Sequence, residues 1–205
     1  MPVDPLILLA FVPASLALNL TPGADMMFCL GQGLRAGPRA AWAASAGISA
    51  GAMVHVTVAG LGLGAAVAAA PWALDAIRWA GVAYLLWLAV QTLRAGPVGA
   101  GQAGGPRAFR EALVVNLTNP KVILFVLAFI PQFVDPTRGP VLAQFLIYGA
   151  VLALGGFVIN GTVGVFAGGL GRQIARSPRF SRAISYVSAG VFAALALRLA
   201  VMERT

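Results

Sequence analysis

Two short polar turns interrupt otherwise apolar stretches of this sequence, and each ends in an ionisable residue. Residues 19–25 read Asn-Leu-Thr-Pro-Gly-Ala-Asp and end in Asp25, whereas residues 116–121 read Asn-Leu-Thr-Asn-Pro-Lys and end in Lys121. A helix that begins at such a turn presents free backbone N–H groups, which together with a lysine would bind an anion. An aspartate at the other turn would bind a cation or carry a proton. The two turns are therefore the candidate chemical site.

The composition indicates that these turns lie in a lipid bilayer. Apolar residues make up 60% of the chain and charged residues 10%, against roughly 25% charged residues in soluble domains. Backbone breaks at membrane depth are tolerated only where protein buries them or where they line a cavity, and ionisable groups there mark functional sites by default. We therefore predict an all-α integral membrane protein. Its single cysteine, Cys29, excludes a disulfide within the chain.

The positive charge is concentrated in alternate connections. The formal net charge is +8, but no basic helix with interleaved aromatic residues suggests a nucleic-acid partner. Basic connections that alternate with nearly neutral ones indicate the orientation of spans in a membrane. The basic connections are predicted to face the cytoplasm, which places both termini on the opposite side. Their arginines are Arg35 and Arg39; Arg94, Arg107 and Arg110; and Arg172, Arg176, Arg179 and Arg182.

The apolar segments predict six transmembrane helices, of which the first and fourth are broken by proline. At the first break, Thr21 is expected to cap the second half-helix and Pro22 to occupy its first position. At the other break, Asn119 is the expected cap and Pro120 the first residue. A re-entrant pair at either break would change the count. The predicted spans are 6–30, 40–69, 73–93, 109–131, 141–170 and 183–202.

Small residues recur at helical spacing in the second and fifth spans. Gly47, Gly51 and His55 share one face, and Gly156, Asn160, Gly164 and Gly168 share another. Glycines at this spacing let helix backbones approach closely in lipid. We therefore predict packing roles for the glycines. For His55 and Asn160 we expect interhelical hydrogen bonds in preference to a proton relay.

The two halves of the chain resemble each other. Asn-Leu-Thr occurs at 19–21 and again at 116–118, and Ala-Gly-Val occurs at 80–82 and again at 189–191. Between these motifs, the pair Gly51 and His55 matches Gly156 and Asn160. We predict two three-helix repeats, 1–94 and 109–205, joined by a glycine-rich cytoplasmic linker, 95–108. Because each repeat has an odd number of spans, the copies are inverted, as in many secondary transporters.

The motifs carry a resemblance to a known family. The turns at 19–25 and 116–121, and Pro131-Gln132-Phe133 after them, resemble the lysine exporter / threonine–homoserine resistance (LysE/RhtB) family over nearly the whole chain. The family's first motif usually reads Pro-Gly-Pro-Asp, and Ala24 replaces its second proline here. The resemblance implies export of amino acids or close derivatives, of the homoserine, threonine, lysine or leucine type, across a bacterial inner membrane. In such a membrane, the arginine pattern predicts that both termini are periplasmic, and we expect coupling to the proton gradient.

A zwitterionic amino acid needs a cation for its carboxylate and an anion for its ammonium. Lys121 is the expected partner of the carboxylate, and Asp25 of the ammonium or of a coupled proton. His55 is a second proton-coupling candidate, and Asn160 is expected to support the site. No metal or cofactor is expected. The predicted substrate-binding residues are Asn19, Thr21, Pro22, Gly23, Asp25, Asn116, Asn119, Pro120 and Lys121.

Several alternatives remain open at this point. Asp25 and Lys121 would play a purely structural role if they paired and locked the two halves together. Export of cations or metal ions is the second transport reading, although His/Cys/Asp clusters are lacking. A non-transporting accessory subunit or an intramembrane enzyme would be a different class of protein. The sequence leaves open the amino acid carried, the coupling ion and the oligomeric state, a homo-oligomer included.

Overall fold

The computed structural model describes residues 2–69 and 108–166, together with isolated helical residues within 79–93 and 182–200. All regular elements in this part of the chain are helical, which confirms the predicted all-α class. The predicted linker and most of the third and sixth spans lie outside the described residues. The helices are α1 (Pro5–Leu20), α2 (Ala24–Ala36), α3 (Pro38–Ala69), α4 (Ala108–Leu117), α5 (Pro120–Ala128) and α6 (Val141–Phe166), with 3-10 turns at Ile130–Phe133 and Pro136–Arg138.

Two of these helices could cross a bilayer alone, and two further spans are bent. Within α3, residues Pro38–Gly62 are long and apolar enough to span, as is all of α6. The pair α1 and α2 passes the same test as one bent segment, and so does the pair α4 and α5 with the turn that follows. The bends are 57° and 55°. The described helices thus provide two to four spans.

Both bends occur at the predicted prolines. The residue before a proline is disfavoured in the helical region of φ and ψ, and Thr21 and Asn119 both adopt extended conformations. Asn119 caps α5 as predicted, because its side chain accepts a hydrogen bond from the Lys121 N–H. The two breaks are therefore encoded locally by the residues around Pro22 and Pro120.

The predicted cap of α2 is wrong. Gly23, in an extended conformation, is the cap, and α2 begins at Ala24 instead of at Pro22. Thr21 belongs to the end of α1, where its hydroxyl donates to the Ala17 carbonyl at 2.6 Å. Because Pro22 forces Thr21 out of the helical region and the chain must then turn, two residues separate Thr21 from the new helix.

Contacts between helices fix their relative directions. Ser45 and Ser49 of α3 donate to the carbonyls of Phe157 and Ala153 of α6, so these helices are antiparallel. A Cβ added at Gly47 or Gly51 of α3 would meet Phe109 or Asn116 of α4, so α3 and α4 are parallel. Because α1 runs parallel to α6, with Phe11 beside Tyr148 and Asn19 beside Gly156, α1 and α4 run in opposite directions.

The glycines of both predicted faces lie at helix contacts, which confirms their packing role. A Cβ added at Gly156 would lie 3.1 Å from Asn19 Oδ1, and one added at Gly164 would lie 2.7 Å from the Cys29 carbonyl. The helices therefore pack closely at both glycines, against the Asn19 side chain at Gly156 and against the backbone of α2 at Gly164. Gly168 lies outside the described residues.

In the N-terminal part of α1, aromatic and ionic contacts hold the helix against the second half of the chain. The Phe11 ring is fully buried and packs against Phe133 and Tyr148, with ring centroids 5.2 and 5.0 Å away. Arg138 pairs with Asp4 at 3.1 Å. The Leu6 N–H, with Arg138 nearby, lowers the pKa of the exposed Asp4 carboxyl. The start of α1 and the turn before α6 are thus held at the same end of the molecule.

Candidate functional site

Lys121 extends from α5 to the broken end of α1. Its N–H donates to Asn119 Oδ1 at 3.0 Å. Its Nζ donates to the carbonyl oxygens of Leu18 at 3.0 Å and Thr21 at 2.9 Å. In a continuous helix the Leu18 carbonyl would accept from the N–H of residue 22, but Pro22 has no N–H. Lys121 therefore supplies the donor that the proline removes.

Asp25 lies in the first turn of α2, two residues after the Gly23 cap. Its side chain is buried, with 7% of the residue exposed, and the positive end of the helix stabilises a carboxylate there. Oδ2 accepts a hydrogen bond from Asn116 Nδ2 at 2.9 Å. Oδ1 has no hydrogen-bond partner among the described residues. One oxygen of a buried carboxylate is thus free to accept a ligand's donor.

The two ionisable groups do not bind each other. Among the described residues no ion pair joins Lys121 to Asp25: the ammonium donates to carbonyl oxygens and the carboxylate accepts from Asn116. Each charged side chain therefore contacts the broken end of the helix in the opposite half of the chain. The direct pairing that the sequence left open is not present in this arrangement.

His55 makes the interhelical hydrogen bond that the sequence predicted. Its Nε2 lies 3.2 Å from the carbonyl oxygen of Asn116. That oxygen lies four residues before Pro120, so it also lacks the usual helical donor. The Asn119 N–H donates to it at 2.9 Å, and His55 is a second donor when Nε2 carries the proton. A proton-coupling role for His55 stays a prediction.

Two small cavities lie at the breaks. Their volumes are about 20 and about 10 Å³. A buried water needs roughly 10–15 Å³, so each cavity has room for about one water and neither can hold an amino acid. Asn19 and Asp25 border both. The first is also lined by Ser49, Asn116 and Gly156, and the second by Thr21, Lys121 and Asn160.

The predicted hydrogen bond of Asn160 is wrong. The residue is 3% exposed, and its Oδ1 accepts no hydrogen bond from any described residue. The side chain instead borders the cavity that Asp25 and Lys121 share. Helical spacing placed Asn160 on the packed glycine face, but spacing does not specify which groups oppose it.

The remaining predicted residues shape the breaks. Pro22, Gly23, Asn119 and Pro120 border neither of these two cavities. Gly23 leaves space for the ammonium, because an added Cβ would lie 3.3 Å from Lys121 Nζ. Pro22 and Pro120 remove backbone donors, and Asn119 caps α5. These four residues therefore position Lys121 and Asp25 instead of lining the space between them.

Gln32 is a buried polar side chain that sequence reasoning missed. Gln32 of α2 is fully buried, and neither amide atom has a hydrogen-bond partner within the described structure. It follows Asp25 by two helical turns, a spacing that places both residues on one face of α2. That spacing is the sequence signal by which Gln32 could have been found. Across the described residues, no three His, Cys, Asp or Glu side chains gather closely enough to hold a metal ion.

Comparison with known proteins identifies the family. An uncharacterized membrane protein of Vibrio cholerae is 32% identical over 95% of this chain and 97% of its own length. The homoserine/homoserine lactone efflux protein of Salmonella typhimurium is 38% identical over 68% of this chain and 70% of its own. The leucine efflux protein of Klebsiella pneumoniae is 31% identical over 68% and 69%. No solved structure matches the chain. Because a family model described as LysE type translocator matches residues 16–203, the chain belongs to the LysE family of membrane transporters, as the resemblance implied.

Proposed function

We propose that this protein exports amino acids or close derivatives across a bacterial inner membrane. The family and the relatives named for homoserine, homoserine lactone and leucine efflux support this assignment. These solutes share a polar head next to a small or apolar side chain. We further propose that export is coupled to the proton gradient and that both termini face the periplasm.

The observation that carries the proposal is an acid and a base beside one small cavity. Asp25 and Lys121 come from two broken helices and border the same space without pairing. An α-amino acid offers the complementary charges on two groups attached to the same carbon. Charged groups inside a membrane cost free energy and are by default functional. Broken helices that meet mid-membrane are where secondary transporters bind their solutes.

The small size of the cavity defines what must happen during transport. Because there is room for about one water, the broken helices must separate before an amino acid enters. We propose that the substrate carboxylate then competes with the Leu18 and Thr21 carbonyls for Lys121 Nζ. The substrate ammonium binds the free Oδ1 of Asp25. Protonation of Asp25, with His55 as a second candidate, would weaken that bond and release the ammonium.

We also propose the six-span, two-repeat arrangement for the whole chain. Asn19 of the first half packs on Gly156 of the second, and Asn116 of the second half packs on Gly51 of the first. The sequence pairs these residues as repeat equivalents, so the two contacts are related by exchange of the halves. Opposite directions of α1 and α4 support inversion of the repeats. The third and sixth spans complete each repeat.

The transport test uses inverted membrane vesicles and a panel of labelled amino acids, with and without a proton gradient. We expect the wild-type protein to accumulate at least one amino acid, with gradient dependence. Lys121→Ala and Asp25→Asn should each reduce transport by about tenfold or more, because hydrogen bonds to charged groups contribute about 1.5–3 kcal/mol. Asn at position 25 can still accept from Asn116, so Asp25→Asn removes the charge and keeps the contact.

Matched controls remove the same charges outside the cavity. Asp135 and Arg138 are at an exposed turn and contact each other at 3.7 Å. Arg138 also pairs with Asp4 at 3.1 Å, but exposed ion pairs contribute only about 0–1 kcal/mol, so Asp135→Asn and Arg138→Ala should insert and transport like the wild type. Normal transport by both Lys121→Ala and Asp25→Asn would refute the site. Absence of transport of every amino acid by the wild type would refute the proposed function.

A further inference from the structure

A further polar side chain, with an oxygen that has no hydrogen-bond partner among the described residues, borders the cavity that Asp25 and Lys121 share. Asn160 of α6 is 3% exposed and borders this cavity, and its Oδ1 accepts no hydrogen bond from the described part of the chain. A buried acceptor left unpaired costs roughly 1–3 kcal/mol. The acceptor is therefore a candidate to bind a donor that is present only when the site is occupied.

The other neutral side chains around this cavity have their donors committed. Asn19 Nδ2 donates to the Leu152 carbonyl at 3.1 Å, and the Thr21 hydroxyl donates to the Ala17 carbonyl at 2.6 Å. Both residues hold the helices in place and are less available to a solute. Asn19 is only partly buried, so Asn160 is the buried amide of this lining whose side-chain oxygen accepts no hydrogen bond from the described residues.

The charged groups of any amino acid already have partners in the proposed site. The carboxylate would bind Lys121, and the ammonium would bind Asp25. A neutral hydrogen-bond acceptor remains for the part that differs between amino acids, the side chain. An acceptor selects a donor, and a short side chain ending in a hydroxyl supplies one.

We propose that Asn160 is the specificity-determining residue of the site and selects amino acids with a side-chain hydroxyl over those with an apolar side chain. The inference rests on the proposed export function and names the class of substrate. When an apolar side chain enters, the Asn160 oxygen stays buried and unpaired. Sites built to hydrogen-bond a hydroxyl strongly reject the analogue that lacks it, so the discrimination comes from this penalty.

Two pairs of nearly isosteric solutes test the proposal. Homoserine and norvaline differ by a terminal hydroxyl in place of a methyl group, and so do threonine and valine. In inverted vesicles, the wild-type protein should transport homoserine at least about tenfold better than norvaline. Asn160→Leu, which keeps the size and removes the acceptor, should bring this ratio close to one. Asn160→Ser, whose hydroxyl oxygen is again an acceptor, should recover part of the preference.

The ratio of homoserine transport to norvaline transport is measured within each variant, so a lower amount of inserted protein does not alter it. If Asn160→Leu inserts too poorly to measure, Asn160→Ala provides the same comparison. Ser15→Ala is the matched control, because Ser15 is equally buried with an unpartnered Oγ in the described structure but borders neither cavity. Its ratio should equal that of the wild type.

Three results would overturn the inference. A wild-type preference for norvaline or leucine would show that the site does not select a hydroxyl. An unchanged ratio in Asn160→Leu and Asn160→Ala would assign the selection to another residue. An equal loss of all four solutes in both variants would place Asn160 at the groups common to every amino acid. In each case amino-acid transport persists in the wild type, which distinguishes these failures from failure of the proposed function.

Discussion

Lys121 has two sets of competing partners at the scale of single residues. Its ammonium satisfies the carbonyl of Leu18, which lacks a backbone donor because of Pro22, and that of Thr21. A substrate carboxylate would be a stronger acceptor than either neutral carbonyl, because its full negative charge adds Coulombic attraction to the ammonium. The carbonyls therefore keep a buried cation satisfied when the site is empty without preventing substrate from binding.

Substitution of Gly23 tests how much space the Lys121 ammonium needs. Its φ of −167° is extended backbone that any residue adopts, so Gly23→Ala causes no backbone strain. The new Cβ would lie 3.3 Å from Lys121 Nζ, and the ammonium must shift by a few tenths of an ångström. Transport in vesicles should fall about three- to tenfold, less than the hundredfold or so expected for a full ångström of misplacement.

Gly62→Ala is the control for this change. It adds the same methyl group to α3, where a new Cβ meets nothing within 4 Å. Gly62→Ala should transport at the wild-type rate. Equal activity of Gly23→Ala and Gly62→Ala would show that Lys121 does not depend on the space at Gly23.

Single residues were predictable where the cause is local. Asn119 precedes a proline and caps α5 as expected, since both effects act within a few residues. Thr21 and Asn160 were assigned wrongly because their roles depend on tertiary contacts. The sequence places an acid and a base near each other, but it does not reveal that Lys121 binds carbonyl oxygens while Asp25 binds Asn116.

At the scale of elements, α2, α3 and α6 meet where backbones touch. A Cβ added at Gly33 of α2 would overlap the carbonyl of Gly164, and one added at Gly164 would lie 2.6 Å from the Ala41 Cβ of α3. Neither obstacle is a flexible side-chain end, so the helices themselves must move apart. This crossing holds the second half of the first broken helix against the fifth predicted span.

Alanine at either glycine should therefore destabilise the fold. We expect Gly33→Ala and Gly164→Ala to lower the free energy of unfolding by about 1–3 kcal/mol, the usual cost of overpacking. Denaturant unfolding in detergent, followed by tryptophan fluorescence, measures this. Gly62→Ala, which adds the methyl group in open space, should not lower the free energy of unfolding and should raise it by up to about 1 kcal/mol, because alanine is the better helix former. Wild-type stability of both crossing variants would contradict the close backbone contact.

Element boundaries were predictable where proline or glycine ends a helix. The Gly37-Pro38 pair separates α2 from α3, because Gly37 has a φ of 82° that favours glycine. The apolar segments also predicted the central spans to within a few residues. The crossing of α2 with α6 was not predicted, since only Gly164 lies on a recognised glycine face and Gly37, the glycine four residues after Gly33, lies beyond the end of α2.

At the scale of the whole molecule, the described helices place both charged groups beside a space of about one water. The sequence predicted the inversion through the repeated Asn-Leu-Thr motif, and the reciprocal contacts of Asn19 and Asn116 support it. It could not predict how small this space is, because its size depends on how far apart the helices lie. A transporter with this site must alternate between this narrow form and forms open to each side.

The orientation of the molecule in the membrane can be tested by labelling two positions that are predicted to lie on opposite sides of it. Cys29 is fully buried, so the chain's own thiol should resist a membrane-impermeant maleimide and leave a silent background. Arg39 and Thr137 are both exposed, the first beside the predicted cytoplasmic turn and the second at the predicted periplasmic turn. Thr137→Cys should be labelled in intact spheroplasts, whereas Arg39→Cys should be labelled only in inverted vesicles. Labelling of both from one side would contradict the inverted arrangement, because α3 would then fail to separate the two turns.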